Sequence, residues 1–285
     1  MTATSNNSCG SSSYLIDYHL HTCCSIDGSG EVIEHCSQAV KRGFTEICFT
    51  NHQEWISAAT GHFDYAMRNN GWQQLFSDIE AARTKFPMLS IKIGCEIGHY
   101  PQYVTEIIRF TQQHPFDYII GSMHSLDGKS LVSANSSGNK DEDKKNRLKR
   151  MRHYLLAVKE MVDHGYFDCI GHLDYAKKNM PAPALAEYQD LIWDIADSMK
   201  RNDIGFELNT SGWHHSPQEC YPSLEILKIM KDAGISIVTI GSDSHSPEDI
   251  GRDVLKGLDI LKRAGFNSVC TFSKRIPSYL PFPAG

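Results

Sequence analysis

No apolar run in this sequence approaches the roughly 18 residues that a membrane-spanning helix needs. A basic stripe is missing too: the formal net charge is -6 and the pI about 6.1, which argues against a nucleic-acid partner. Residues 1–13 are rich in Ser, Asn and Thr and lack the basic start and apolar core of a secretory signal, so we interpret them as a disordered tail. A cytoplasmic protein that binds a small molecule fits these absences, and the oligomeric state is left open.

The chain also lacks the motifs of several enzyme and metal-site classes. Its nine cysteines show no paired zinc-finger spacing, and their odd number favours reduced thiols over a disulfide scaffold. Gly28-Ser29-Gly30 has no Gly-Lys-Ser/Thr after it, so neither a P-loop nor a dinucleotide-binding turn is expected. The Gly-x-Ser-x-Gly elbow of serine hydrolases is absent as well. Nucleotide-dependent and serine-based catalysis are therefore disfavoured.

Strand and helix patterns alternate along almost the whole chain. Helical segments bring their apolar residues to one face, as Val254, Leu258 and Leu261 do. Apolar, β-branched runs of strand length lie between the helices. This alternation favours an α/β fold in which helices cover a parallel sheet. The predicted strands are Leu15–His21, Glu46–His52, Ile91–Ile97, Asp117–His124, Asp168–His172, Gly205–Asn209, Ser236–Ser242 and Ser268–Phe272.

The predicted helices share end signals. The last long helix is expected to begin at Ser246-Pro247-Glu248-Asp249, with Ser246 as its N-cap. No change of composition divides the chain, so residues 14–285 are predicted to form a single domain. Four helices end in a glycine that suits a left-handed C-terminal cap, namely Gly43, Gly165, Gly234 and Gly265.

One polar segment interrupts the alternation. Residues 133–143 lack periodicity and follow the predicted strand that ends at His124. We interpret it as a solvated surface loop. A lid is the alternative, because in a parallel barrel this position belongs to the face that carries active sites, where long loops often serve as lids.

Histidines are concentrated at the predicted strand ends. Of the 14 histidines, six lie at the C-terminal end of a strand, where the loops of a parallel barrel converge. Three carboxylates lie at or just after such ends. The eight other histidines are interpreted as core or surface residues. The strand-end set comprises His19, His21, His52, His124, His172 and His245, together with Asp27, Glu96 and Asp243.

The spacing within this set suits metal binding. Side chains two residues apart on a strand point to the same side, so His19 and His21 can reach one metal ion. Asp243 and His245 can do likewise if their strand continues that far. Neutral imidazole and ionised carboxylate are ordinary ligands of zinc, iron and manganese. The alternative, that each histidine is a hydrogen-bonded core residue, accounts poorly for six of them at equivalent positions.

Six short motifs carry these residues: His19-Leu20-His21-Thr22, Thr50-Asn51-His52, Gly94-Cys95-Glu96, Gly121-Ser122-Met123-His124-Ser125, Gly171-His172-Leu173-Asp174 and Gly241-Ser242-Asp243-Ser244-His245. In number and order they resemble the motifs of the PHP family, the polymerase and histidinol phosphatase domains. The resemblance runs from about Leu15 to Phe272. It is greatest to the stand-alone histidinol-phosphate phosphatases rather than to the polymerase-attached domains.

The resemblance implies a distorted TIM-like (β/α)7 barrel that holds up to three divalent metal ions, which are zinc, iron or manganese in this family. The first metal would be bound by His19, His21, Glu96 and Asp243. The second would share Glu96 as a bridge and add His124 and His172. The third would be bound by Asp27, His52 and His245, and many relatives carry His at the place of Asp27.

The reaction implied by the resemblance is hydrolysis of a phosphomonoester. Its most specific form is conversion of L-histidinol phosphate to L-histidinol and phosphate in histidine biosynthesis. Clustered metals are expected to lower the pKa of water and to neutralise charge on the phosphate. Glu96 would act as the metal bridge, and Asp243 or His245 would relay a proton to the leaving group.

Two departures from the family pattern concern the substrate. Many histidinol phosphatases have an acidic residue shortly after the bridging Glu, where this chain reads Ile97-Gly98-His99-Tyr100. Many also have an Arg after the Gly-His motif, where this chain has Lys177 and Lys178. Lysine can hold phosphate as a point charge but lacks the bidentate fork of arginine. Asn209 and Arg252 are further candidates for substrate contact, although a turn and an exposed helix also explain them.

Three other functions are considered. A phosphoesterase that acts on a nucleotide or sugar phosphate is favoured somewhat by these departures. A metal-dependent amidohydrolase also begins with His-x-His, but it typically bridges its metals with a carbamylated lysine. Here the strand ends with Glu96, and Lys92 lies four residues earlier. A non-catalytic metal-binding regulatory module would be expected to lack ligands, and none is plainly missing.

Overall fold

The structure, a computed structural model, describes residues 14–55, 67, 71–126, 129–130, 140–179 and 181–282 of the 285-residue chain. The predicted tail, residues 1–13, lies outside the described residues. Most of the polar segment 133–143 lies outside them too. Its last four residues, 140–143, belong to the helix Lys140–His164.

Seven parallel strands form a nearly closed barrel, as the alternating pattern and the family resemblance predicted. The barrel strands are β1, β2, β4, β5, β8, β9 and β10 in that order, and β3 pairs with β4 beyond the end of β2. Between β10 and β1, His21 N–H donates to Ser244 O at 2.8 Å. In chain order the strands are β1 (Ile16–Leu20), β2 (Glu46–Phe49), β3 (His52–Gln53), β4 (Ser90–Gly98), β5 (Tyr118–Ser122), β6 (Ser125–Leu126), β7 (Lys129–Ser130), β8 (Cys169–Ile170), β9 (Gly205–Asn209), β10 (Val238–Gly241), β11 (Ser268–Ser273) and β12 (Ile276–Pro281).

Helices follow the barrel strands and pack their apolar faces inward. In the last of them, a Cβ at Gly257 would lie 2.7 Å from Ile240 and 2.8 Å from Leu208, so glycine permits its close approach to β9 and β10. Within the described part of the chain, no helix is both long and apolar enough to cross a bilayer. The helices are α1 (Val32–Lys41), α2 (Gly71–Lys85), α3 (Val104–Gln113), α4 (Lys140–His164), α5 (Gln189–Arg201), α6 (Leu224–Asp232) and α7 (Val254–Arg263).

The helix ends agree with the sequence, whereas one helix start does not. The predicted cap glycines all have positive φ, between 68° and 94°. The prediction that the last helix begins at Ser246 is wrong: Pro247–Asp249 forms only a 3-10 turn, and α7 begins at Val254. Between them, Gly251 has φ 69° and donates its N–H to the buried carboxylate of Asp17 at 2.7 Å. This bond to β1 takes the backbone out of a helical path.

The predicted strand at 268–272 exists but lies outside the barrel. It forms β11, which pairs antiparallel with β12. Phe272 packs against Tyr118 with ring centroids 4.8 Å apart, and Arg275 in the hairpin turn pairs with Asp168 at 3.1 Å. Because Asp168 immediately precedes β8, this hairpin covers the amino end of the barrel. The carboxyl end is left for the functional site.

Candidate metal centre

The nine side chains predicted as metal ligands lie together at the carboxyl end of the barrel. Each belongs to the end of a barrel strand or to the segment that follows it. Six of them are at most 6% exposed. Exposure then rises towards the mouth through Asp243 (13%), Asp27 (22%) and His245 (36%). The cluster is therefore buried within the barrel and open to solvent on one side, where Asp27, Asp243 and His245 lie.

Glu96, near the end of β4, lies at the centre of the cluster. Its Oε1 is 3.2 Å from His124 Nε2 and 3.1 Å from His172 Nε2. Its Oε2 is 3.3 Å from His19 Nε2 and 3.5 Å from His21 Nε2. Oε1 thus faces one pair of imidazoles, and Oε2 faces another pair and also His52 Nδ1, at 2.8 Å. The two pairs suit a carboxylate that bridges two metal ions.

Asp243 completes the group on the His19 side. Its Oδ1 lies 3.5 Å from His19 Nε2 and 3.4 Å from His21 Nε2. Its Oδ2 accepts a hydrogen bond from Asn209 Nδ2 at 3.2 Å and lies 3.2 Å from Ser211 Oγ. Asp243 has φ 56°, a left-handed backbone that a non-glycine residue keeps only where its surroundings hold it. These contacts supply that support.

A third group forms around Asp27. Its Oδ2 lies 3.3 Å from His52 Nε2 and 3.2 Å from His245 Nε2. The loop that carries Asp27 is hydrogen-bonded to the backbone of both histidines. Ser25 Oγ accepts the His52 N–H at 3.2 Å, and Ser29 N–H donates to His245 O at 2.9 Å. Local hydrogen bonds therefore place the carboxylate between the two imidazoles.

The donor atoms of the cluster fit transition metals. Nε2 of His19 and both ring nitrogens of His21 are buried and have no hydrogen-bond partner among the described residues. Atoms of this kind are costly in a protein interior unless something else satisfies them. One ligand atom each from His19, His21 and Glu96 lies within 4.8 Å of the others. Zinc, iron and manganese all take imidazole and carboxylate ligands.

The surroundings favour the metal-binding forms of Glu96 and His21, whereas the carboxylates raise the pKa of His52 to about 9 and that of His124 to about 10. Burial alone would raise the pKa of Glu96, but His19, His124 and His52 hold it well below its ordinary value. Burial lowers the pKa of His21 well below its ordinary value, and His52 and its other histidine neighbours lower it further. An ionised Glu96 and a neutral His21 both offer lone pairs to a metal ion.

Two buried carboxylates that the motif analysis passed over lie behind the histidines. Glu54 Oε1 is 2.8 Å from His124 Nδ1, and Glu207 Oε1 is 2.6 Å from His19 Nδ1. Such carboxylates orient a ligand imidazole by deciding which ring nitrogen carries the hydrogen. The sequence signal was weak, because a lone Glu near a strand end is not diagnostic.

Lys177 does not reach the cluster. Its Nζ lies 2.7 Å from Asp174 Oδ2 and 2.8 Å from Glu219 Oε1, and it donates to Cys220 O at 3.0 Å. These acceptors use all three of its N–H donors, and the side chain is fully buried. No donor is left for a phosphate, so the structure gives Lys177 a structural role instead of the predicted anchoring role.

Lys178 is the lysine that faces the cluster. Its Nζ donates to Tyr175 Oη at 2.8 Å and lies over that ring, 4.9 Å from the centroid. Burial lowers the pKa of Lys178, whereas Asp243, Glu96 and Asp27 act to raise it. The carboxylates that influence it are thus those of the centre. Of the two predicted lysines, Lys178 is therefore placed to attract an anion there.

The other two predicted substrate residues differ in position. Asn209 lies beside the centre, and its Nδ2 donates both to Asp243 and to Glu207 Oε2, the latter at 3.1 Å. It therefore holds a candidate ligand in place. Arg252 is half exposed and pairs with Asp249 at 3.0 Å on the surface. Nothing in its surroundings supports a role in substrate binding.

His215 lines the open side of the centre, although the sequence analysis left it among the core and surface histidines. Its Nδ1 lies 3.2 Å from Tyr221 Oη. Burial lowers its pKa to about 4, Lys178 adds to this effect, and Asp243 opposes it. A neutral imidazole therefore lies near enough to Lys178 and Asp243 to interact with both charges. The one sequence feature that pointed to this location is the position of His215 in the segment after β9.

His99 makes a pH-dependent contribution to stability. It is buried, hydrogen-bonded to Tyr166, and burial together with His164 lowers its pKa to about 4. The unfolded chain binds a proton at this residue near pH 6.5, so stability falls as the pH drops from about 6.5 towards the folded value. Between pH 7 and 5, metal-free wild type should lose about 2 kcal/mol more unfolding free energy than His99→Asn in urea titrations. Equal losses in the two proteins would contradict this assignment.

A family model described as "PHP domain" matches residues 17–211 of the chain, which is more than half of it. The chain belongs to the PHP domain family. The match includes the candidate ligands from His19 to His172, and Asp243 and His245 lie beyond it. The family inferred from the six motifs is thereby confirmed.

Curated relatives match this PHP chain over most of their length. A histidinol-phosphatase from Lactococcus lactis is 27% identical over 90% of this chain and 94% of its own. A protein from Thermotoga maritima described as a probable histidinol-phosphatase is 29% identical over 92% and 97%.

Solved structures agree with this PHP fold. The histidinol phosphate phosphatase of Lactococcus lactis, solved with zinc, L-histidinol and phosphate, has a TM-score of 0.79 at 26% identity and covers 93% of this chain and 98% of its own. A Listeria monocytogenes structure with a TM-score of 0.72 is 20% identical and supports the fold alone.

The PHP architecture also places the lysine on which the amidohydrolase alternative depends. Lys92 lies early in β4, and its Nζ is 3.8 Å from Glu46 Oε2 at the start of β2. Glu96 lies near the other end of the same strand. Lys92 is therefore not in place to bridge metals at the centre, and the carboxylate takes that position.

Proposed function

We propose that this protein is a metal-dependent phosphomonoesterase that hydrolyses L-histidinol phosphate to L-histidinol and phosphate. The observation that carries the proposal is the convergence of nine imidazole and carboxylate side chains, with Glu96 at their centre. Similarity to the Lactococcus lactis histidinol-phosphatase over most of both chains supports the choice of substrate. Zinc is the proposed metal because that structure contains it, and iron and manganese suit the same donors.

The distances support three ligand sets, of which the first two share Glu96. Glu96 divides the first two, because each of its oxygens faces a different pair of imidazoles. The proposed sets are His19, His21, Glu96 and Asp243 for the first metal, Glu96, His124 and His172 for the second, and Asp27, His52 and His245 for the third.

Metal ions bound in these sets would supply the positive charge that activates water and stabilises the phosphoryl transition state. Lys178 would hold a phosphate oxygen at the open side of the centre. As the ester P–O bond breaks, the departing alkoxide needs a proton. Asp243 and His245 lie on the exposed side of the cluster, so we assign the proton relay to this pair.

Lys178→Met is expected to lower kcat/KM for the phosphate ester by about 10–100-fold, the contribution of one charge-assisted contact. Lys178→Arg should keep most of the activity because it preserves the positive charge. Lys159→Met, which removes a surface lysine paired with Asp163 on α4, is the matched control. Steady-state kinetics on all three variants measure the effect. Wild-type kcat/KM in Lys178→Met would remove Lys178 from the site.

Turnover of L-histidinol phosphate against a panel of nucleotide and sugar phosphates tests the substrate. We expect a preference of at least about tenfold for histidinol phosphate, since specific polar contacts discriminate by that much or more. A tenfold preference for another ester would show that histidinol phosphate is not the substrate, while phosphomonoester hydrolysis would remain the proposed reaction. Bound metal without turnover of any ester would favour the regulatory alternative.

Residues 14–285 are proposed to act as one domain in the cytoplasm. The hairpin β11–β12 packs against the barrel through Phe272, so the C-terminal part shares the same core. No disulfide joins the cysteines within the described ranges, as expected in a reducing compartment. Fractionation of cells and limited proteolysis test these two statements.

A further inference from the structure

We propose that Glu207 is a positioning residue that sets the metal-binding geometry of three proposed ligands at once: His19, His172 and Asp243. Glu207 lies in β9 and is fully buried. The inference rests on the proposed metal centre, but it does not depend on which phosphate ester is the substrate.

The first contact of Glu207 selects the tautomer of His19. Glu207 Oε1 lies 2.6 Å from His19 Nδ1, and neither side chain is exposed. An ionised carboxylate can only accept a hydrogen bond, so the hydrogen belongs on Nδ1. The lone pair is then on Nε2, the nitrogen that faces Glu96 at 3.3 Å. With the other tautomer, Nε2 could not bind a metal.

The second contact holds the backbone of His172. Glu207 Oε2 accepts the His172 N–H at 3.2 Å. His172 has φ 28°, in the left-handed region that histidine seldom occupies. In this conformation His172 Nε2 lies 3.1 Å from Glu96 Oε1. The bond to Glu207 therefore stabilises the backbone that directs this ring towards the second proposed metal.

The third contact reaches Asp243 through Asn209. Asn209 Nδ2 donates to Glu207 Oε2 at 3.1 Å and to Asp243 Oδ2 at 3.2 Å. Ser211 fixes the orientation of the amide by donating to Asn209 Oδ1 from its N–H at 3.0 Å and from Oγ at 2.7 Å. Asp243 Oδ2 is thereby engaged, and Oδ1 is the oxygen that faces His19 and the rest of the cluster.

The space around Glu207 leaves its carboxylate little freedom. A Cβ at Gly241 would lie 2.4 Å from Glu207 Oε1, so the glycine is what lets the carboxylate lie against His19. Glu54 offers a comparison, because its Oε1 lies 2.8 Å from the Nδ1 of one proposed ligand, His124. Glu207 differs from it by connecting ligands of the first and the second proposed metal.

Glu207→Gln tests this role, since the amide keeps the volume but cannot accept hydrogen bonds at both positions. We expect zinc at the first and second positions to bind about 10–100-fold more weakly, the usual effect of losing such a partner. Elemental analysis after dialysis against defined zinc concentrations measures the affinity. Long-range ¹H–¹⁵N spectra of the zinc-loaded proteins should show the Nδ1-protonated form of His19 in wild type and its loss in the variant.

The controls separate positioning from general destabilisation. Glu46→Gln removes another buried carboxylate, one that binds Tyr18 at the amino end of the barrel, and it should retain wild-type zinc affinity. Asn209→Ala cuts only the connection to Asp243 and should weaken the first position alone. If Glu207→Gln fails to fold by circular dichroism, Asn209→Ala and the wild-type tautomer still decide the question.

Wild-type zinc affinity together with an unchanged His19 tautomer in Glu207→Gln would overturn the proposal. A loss of zinc affinity in Glu46→Gln equal to that in Glu207→Gln would also overturn it. A wild-type protein that binds zinc but does not hydrolyse histidinol phosphate would overturn the proposed substrate. The zinc affinities of the variants would still test the role of Glu207. A wild-type protein that binds no zinc would overturn the metal centre and this inference with it.

Discussion

Replacing Glu96 with Gln is expected to lower kcat for phosphate-ester hydrolysis by at least about 10³-fold, because it removes a charge on which two metal positions depend. Metal content should fall from up to three ions per chain towards one. The third proposed set, Asp27, His52 and His245, does not include Glu96. His52 contacts Glu96 Oε2 through Nδ1, at 2.8 Å, and its Nε2 faces Asp27, so this set is expected to retain its ion.

The physical reason lies in the two-sided contacts of this carboxylate. Oε2 of Glu96 lies within 3.5 Å of both imidazoles of the first proposed set, and Oε1 lies within 3.5 Å of both imidazoles of the second. A neutral amide keeps the shape but offers one weak acceptor and places N–H donors against the other pair. The imidazoles would then lack the negative charge that holds two cations close together.

Zinc content by elemental analysis and single-turnover kinetics measure the two effects separately. Glu46→Gln serves as the control for loss of a buried carboxylate, because Glu46 lies at the other end of β2 and β4 from the cluster. A Glu96→Gln protein that kept wild-type metal content and kcat would contradict the bridging assignment. Loss of activity with full metal content would assign Glu96 to proton transfer instead.

Lys177→Met is expected to lower the free energy of unfolding by about 3–5 kcal/mol, the usual result of leaving one member of a buried ion pair without its partner. Lys177 lies between Asp174 and Glu219 and is fully buried. Asp174 is equally buried, so water cannot replace the lost ammonium. Glu219 is 39% exposed and can be rehydrated, so most of the loss comes from Asp174.

This loss should depend on pH. Burial raises the pKa of Asp174, and Lys177 opposes that rise. Without the lysine the folded pKa rises further above the unfolded value, so the folded variant binds a proton more readily than the unfolded chain. The stability deficit of Lys177→Met should therefore shrink as the pH falls from 7 towards 5.

Urea unfolding at both pH values tests this prediction. The neighbouring variant Lys178→Met is the matched control, because Lys178 is only partly buried and binds a phenol rather than a buried carboxylate. Its unfolding free energy should change by less than about 1 kcal/mol, as for most partly exposed substitutions. The double variant Asp174→Asn/Lys177→Met should recover part of the lost stability. Equal losses of unfolding free energy in Lys177→Met and Lys178→Met would contradict the structural role assigned to Lys177.

The sequence could not distinguish the roles of Lys177 and Lys178. Both were candidates to bind phosphate, since adjacent residues after a Gly-His motif share the same local signal. In the structure Lys177 ends a 3-10 turn and Lys178 follows it, and successive residues of such a turn point about 120° apart. One ammonium therefore enters the core, and the other faces the cluster.

The same distinction applies to the carboxylates. Glu96 and Asp243 could be identified because each lies in a motif at a strand end. Glu54 and Glu207 could not, because their roles depend on contacts with His124 and His19 across 70 and 188 residues of chain. No local pattern encodes a contact of that kind.

The sequence by itself determined the alternation of strands and helices, the glycine caps and the chemical identity of the nine candidate ligands. These follow from periodicity, backbone freedom and side-chain chemistry, which are local properties. Tertiary structure decided that the strand at 268–272 covers the amino end of the barrel, that Lys178 rather than Lys177 faces the centre, and that Glu207 lies behind His19. The reason is that barrel closure sets distances between residues remote in the chain, and those distances decide which side chains meet.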